Sequence, residues 1–171
     1  DIWVPPVTNQ KTVVYRFSLD PAGIEFKGSG QVPGQVKDQF SMDENGNAFR
    51  VMTHTGSFFG GSEQSGTHLF ILNRDDLEQV LGKIENIAPN EDIHSVRFLG
   101  KRAYLVTFNQ IDPFFVIDVE NPSNPQILGE LKIPGYSDYL HPFDENHIIG
   151  FGKEVDPTID ADKVHTDNSV Y

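Results

Sequence analysis

The chain has 171 residues, 37% of them hydrophobic with 13 Phe, and its 25 acidic against 13 basic side chains give a net charge of −12. That is the size of one domain with material for a core, and the acidic balance argues against nucleic acid or an anionic membrane surface as partner, since both need a basic footprint. Cysteine is absent, which excludes disulfides, thiolate nucleophiles and Cys-type zinc sites, and no apolar run approaches the roughly 18 residues of a membrane span.

The opening Asp1-Ile2-Trp3-Val4 reads as the tail of a strand whose partner is missing, so a trimmed piece of a longer protein is expected and a missing leader carries no weight. Val13–Asp20 and Ile24–Val32 follow as β-branched and aromatic runs, closed by Pro33-Gly34. Phe40-Ser41-Met42 leads through Asn45-Gly46, a tight-turn dipeptide, into Phe49–Thr53. A Gly/Ser-rich loop, Thr55–Thr67, precedes the runs His68–Asn73 and Val80–Ile84. Ser95–Leu99 and Ala103–Phe108 flank Gly100-Lys101, Phe114–Val119 comes next, and Asn121-Pro122-Ser123-Asn124-Pro125 turns the chain into Gln126–Ile133. Tyr139–Phe143 and His147–Phe151 close the pattern around Asp144-Glu145-Asn146.

These runs repeat. Val13–Asp20, His68–Asn73 and Phe114–Asp118 each end in an aliphatic residue followed by Asp or Asn, whose side chain can accept a backbone N–H in the next turn. From Pro33 to Pro89 is 56 residues and from Pro89 to Pro134 is 45, the excess in the first interval falling mostly in Thr55–Thr67. Four strands per unit at such a period predict an all-β chain, a β-propeller fragment of four-stranded antiparallel blades, two complete and two partial. A β-sandwich accounts for the strand number but not for the repeat. The expected blade pieces are about 1–34, 35–90, 91–135 and 136–171, together one partial domain. A ring needs about four to eight blades, so the piece belongs to a larger propeller, or its open edges pair with another copy.

The runs Tyr15–Asp20, Gln39–Gly46, Ser95–Phe108, Asp112–Asp118 and Leu128–Gly152 resemble the bacterial and archaeal β-propeller domain family of secreted proteins, described as distantly related to WD40 repeats. Leu19-Asp20 and Ile117-Asp118 sit where a WD40 blade carries Trp-Asp. The resemblance implies export to the cell envelope or exterior. It brings no established activity, so no catalytic residue carries over.

Candidate chemistry lies where ligands meet propellers, at the loops joining fourth to first and second to third strands. Asp38, Asp92 and Asp138 recur there once per unit, and Asp112 sits in a second-to-third loop. Such an acidic ring suits Ca²⁺ or Mg²⁺; alternatively each Asp caps its own turn. Arg97, mid-strand in an innermost strand, is a candidate anion contact or a partner for an Asp in the neighbouring blade. Further on lie Asp156, Asp160 and Asp162, of which Asp160-x-Asp162 alternates in a way that suits calcium, but counted from Asp156 the EF-hand Gly and Glu are replaced by Ala161 and Asp167, and a solvated acidic loop is the competing reading. No histidine pair has zinc-ligand spacing, so His94, His141 and His147 are expected to be packing or turn residues. The leading expectation is a non-enzymatic module binding a protein or glycan. The alternative is an extracellular hydrolase or lyase using Asp112, Asp138 and Ca²⁺.

Overall fold

The structure, a computed structural model, describes residues 10–56, 65–108, 112–133, 136–144 and 146–153. Among these, twelve strands form four antiparallel sheets. The first sheet pairs β1 (Lys11–Asp20) with β2 (Gly23–Pro33). The second runs in chain order through β3 (Met42–Asn45), β4 (Ala48–Thr55), β5 (Gly66–Asn73) and β6 (Val80–Ile87). The third repeats it with β7 (Asp92–Leu99), β8 (Arg102–Phe108), β9 (Asp112–Asp118) and β10 (Gln126–Ile133). The fourth pairs β11 (Tyr136–Pro142) with β12 (Ile148–Lys153). No helix among the described residues is long and apolar enough to cross a membrane.

Short turns set the meander. Gly46 (φ +59) and Gly100 (φ +52) take the left-handed conformation that lets the β3–β4 and β7–β8 connections close tightly. Asp20, Asn73 and Asp118 each accept the N–H two residues on, from Ala22, Asp75 and Glu120, at 2.8 or 2.9 Å. The aliphatic-Asx ends of the third strands thus fold their own turns.

The inner strands of the two complete sheets are buried on both faces, which separates stacked blades from a two-layer sandwich. Along β4 and β5, Ala48, Met52, Leu69 and Ile71 pack with Ile93, Val96, Leu105 and Ile117 of the third sheet. The intervening Phe49, Val51, Phe70 and Leu72 pack with Val32 of the first sheet. Tyr104 and Val106 turn the other way, towards Leu140 of β11. Period-two alternation therefore aims apolar side chains at both neighbours, and each fully buried aliphatic contributes about 1.5–3 kcal/mol.

Glycine permits the closest seam. A Cβ on Gly82 in β6 would lie 2.2 Å from the Pro122 carbonyl oxygen, in the β9–β10 turn of the next blade. Gly30 in β2 stands likewise 2.1 Å from the Leu77 carbonyl oxygen. In each case the turn of one blade rests on bare backbone of the blade before it.

Two expectations change. Phe40 and Ser41, read as the start of a first strand, instead belong to a 3₁₀ turn, Gln39–Ser41, and only Met42–Asn45 is strand. Asp92, Asp112 and Asp138, assigned to loops, lie within β7, β9 and β11. Ladder pairing extends further towards this end than the apolar runs do; Asp138 is accommodated by a register shift between Ser137 and Tyr139.

Candidate functional site

The starts of the innermost strands bring one polar row across three consecutive blades. Asp38 caps the 3₁₀ turn, its Oδ1 accepting from the Phe40 N–H at 2.8 Å and from Ser41 Oγ at 3.3 Å. Turn capping is thus its structural role here. The neighbouring Lys37 reaches across to the third blade and donates from Nζ to the His94 carbonyl. Burial is the main cause that lowers the Lys37 pKa, opposed by the carboxylates of Asp38 and Asp138.

Asp92 and Asp138 each reach back to a histidine of the blade before. Asp92 Oδ1 lies 3.3 Å from Nε2 of His54, a fully buried residue near the end of β4. Asp138 Oδ1 lies 3.4 Å from His94 Nδ1, with the Asp138 side chain half exposed. The His94 ring meets Phe108 edge-on at 5.3 Å. Burial again is the largest cause lowering the His94 pKa; Lys37 adds to it, whereas Asp138 and Asp92 oppose it. Next to this row, Thr107 donates to Glu91 Oε2 at 2.5 Å.

His68, at the same end of the second blade, is held in one tautomer. Its Nδ1 accepts from the Asn86 N–H at 3.1 Å, which leaves the proton on Nε2, 2.9 Å from Thr55 Oγ1. Burial is the first cause lowering its pKa, with His54 and Lys83 adding and Glu85 opposing.

Arg97 spans three blades. Its Nε donates to the Leu140 carbonyl of β11 at 2.9 Å, and its guanidinium lies 4.0 Å from the ring centre of Phe40 and 4.9 Å from that of Tyr139. Its guanidinium thus lies between two rings contributed by the blades on either side. Ser95 Oγ joins the same two inner strands by donating to the Ser137 carbonyl at 2.7 Å. Asp112 opens β9 opposite Ile133, with β8 between it and the inner strand β7, so it stands apart from the row. Asp156, Asp160 and Asp162 lie outside the described residues. Among the described residues, no three His, Asp or Glu side chains are grouped as a metal site.

Sequence reasoning passed over Arg50, which is 1% exposed. Its Nε and Nη2 hold both oxygens of Asp43 at 2.6 and 2.5 Å, and Nη1 donates to the Gly100 carbonyl of the next blade at 2.6 Å. The signal was present: Asp43 and Arg50 face each other across the Asn45-Gly46 hairpin.

Tandem four-stranded meanders buried on both faces define β-propeller blades. The chain belongs to the Beta propeller domain family, whose sequence profile matches residues 3–168. It is similar to an uncharacterised protein of Archaeoglobus fulgidus, 43% identical over 145 residues, and to an uncharacterised protein of Methanocaldococcus jannaschii, 41% identical over 145 residues. Each match covers 85% of this chain and only 22% of the relative, so the chain spans about a fifth of the length of these proteins. No solved structure matches it significantly.

Proposed function

We propose that this is a binding module of an exported propeller protein, which recognises a protein or glycan at the end where the inner strands begin. The observation carrying this reading is the row Lys37, His94 and Asp138, contributed by three consecutive blades and joined by direct contacts. Lys37 and Asp138 are exposed, as are Tyr139 and His141 beside them, with ring centres 6.1 Å apart. Charged groups held in register on a rigid scaffold, next to an aromatic ring, suit recognition of an extended polar surface. Two grooves lie elsewhere: one of about 520 Å³ is lined by Val13, Ser29, Gly30, Gln31 and Glu78, and one of about 240 Å³ by Asp118, Glu120, Asn121, Asn124 and Gln126. Export rests on the family resemblance alone.

The test uses the full-length protein with Lys37→Glu and Asp138→Lys, alongside Glu120→Lys as a control away from the row. A glycan array and capture from a cell-envelope extract would each be run. The reading expects a ligand whose binding falls at least tenfold in the first two variants and not in the control. Ligands indifferent to Lys37 and Asp138 would contradict it.

A further inference from the structure

Every described arginine but one faces an aspartate. Arg16 and Arg74 meet Asp75, Arg50 holds Asp43 and Arg102 meets Asp118, at 2.5–3.8 Å. Arg97 makes no such pair among the described residues, and its Nη2 is buried with no hydrogen-bond partner there. The contrast with Arg50 is a matter of position. Asp43 pairs with Arg50 across the first two strands of the second blade, and Arg97 pairs with Tyr104 across those of the third. Counted from the turn glycines Gly46 and Gly100, Arg97 stands where Asp43 stands, and the residue opposite it offers a ring instead of a carboxylate.

The aspartates at this end of the inner strands are engaged elsewhere. Asp38 accepts from the Phe40 N–H, Asp92 faces His54 and Asp138 faces His94. What holds Arg97 is neutral: the Leu140 carbonyl takes its Nε–H, and the Phe40 and Tyr139 rings lie against the guanidinium. These groups come from the sheets on both sides of the third, so the setting of Arg97 is built by described neighbours in each direction. A guanidinium fixed by its faces and at Nε keeps its two Nη groups side by side. That edge matches the two oxygens of a carboxylate. Arg97 is half-buried and therefore not sealed from a ligand.

We propose that this edge of Arg97 binds a carboxylate of the ligand, and that the ligand is a glycan carrying uronic-acid groups. The inference rests on the reading that this end of the inner strands is the binding face. A buried donor without an acceptor is a cost to the free protein, and a carboxylate seated on it removes that cost. Lys37 adds a second cation, held on the carbonyl of His94, three residues before Arg97 on the same strand. The chain's net charge of −12 repels a partner with a dense run of acidic side chains. It tolerates a ligand that sets its carboxylates among neutral hydroxyls. Asp138 and His141, both exposed, supply hydrogen-bonding groups for those hydroxyls.

The test uses the full-length protein with oligosaccharides of galacturonate and of glucuronate, each beside its carboxyl-reduced neutral counterpart, and reads affinities by calorimetry. Reduction of the carboxylates should weaken binding to the unaltered protein by about tenfold or more, a comparison that needs no variant to fold. Arg97→Gln should weaken binding of the acidic form by a similar factor and leave that of the neutral form unchanged. Arg97→Lys, which keeps the charge without the paired Nη groups, should fall between. Equal affinity for acidic and neutral forms, an acidic form indifferent to Arg97→Gln, or no binding of either form would overturn the proposal. So would capture of an acidic peptide through Arg97 where every uronic-acid glycan fails. The two readings fail separately. A ligand lost in Lys37→Glu and Asp138→Lys but not in Arg97→Gln removes the carboxylate site and keeps the binding face. A uronic-acid glycan lost in Arg97→Gln alone keeps the carboxylate site and removes the row Lys37, His94 and Asp138 as its surroundings.

Discussion

Arg50 and Asp43 form a two-point ion pair across the β3–β4 ladder, with contacts of 2.6 and 2.5 Å, and the arginine is far more deeply buried than its partner. The asymmetry decides what each loss costs. Asp43→Ala leaves a guanidinium without its carboxylate in the seam between blades, worth about 3–5 kcal/mol. Arg50→Met leaves a carboxylate whose side chain is 30% exposed and can be solvated, so the loss is smaller, about 1–2 kcal/mol. Urea unfolding of both variants at one protein concentration checks the order.

Acid should weaken the fold through His68 and His94. Both have pKa values below the ordinary 6.5 in the folded chain, so the unfolded chain binds protons more tightly. Their contribution is complete above pH 6.5 and is lost as pH falls from there through the lower folded values. For His68 burial is the first cause, and a proton on Nδ1 would also have to displace the Asn86 N–H that is donated there. Chemical denaturation between pH 7.5 and 5 should show falling stability, with a shallower slope in His68→Gln.

Glycines at matching places should respond with opposite sign. Gly82→Ala drives a Cβ against the Pro122 carbonyl and Pro125 Cδ, at 2.2 and 2.9 Å, and should cost about 1–3 kcal/mol. Gly129→Ala meets nothing among the described residues and restricts the unfolded chain. It should be neutral or stabilising by up to about 1 kcal/mol. Thermal melts of the two variants compare them directly.

The ring sandwich around Arg97 should act as a unit. A double-mutant cycle between Arg97→Lys and Phe40→Leu should give a coupling energy of about 0.5–2 kcal/mol. Lysine keeps the charge but loses the flat guanidinium that lies over both rings. Additive losses would mean that the stacking contributes nothing.

The strands were legible because their signals are local. Alternating apolar runs, the Asn45-Gly46 and Gly100-Lys101 turns and the aliphatic-Asx ends all act over a few residues, and their recurrence exposed the blade. Phe40-Ser41 misled for a related reason: it alternates like a strand, while the competing Asp38 cap is reinforced by Arg97 stacking on Phe40 from another blade. The polar row was only half visible. Its aspartates recur once per unit, but their partners His54 and His94 come from the preceding blade, and nothing local marks such a pair. Asp43 and Arg50 could have been found from the hairpin register alone.

The central claim is that the inner strands of each complete sheet are buried on both faces between neighbouring blades, and methyl NOE spectroscopy tests it most directly. The account predicts NOEs from Met52 and Ile71 to Ile93 and Leu105, and separate NOEs from Val51 and Leu72 to Val32. NOEs from one face only, or Leu72 and Ile71 both contacting Leu105, would contradict it.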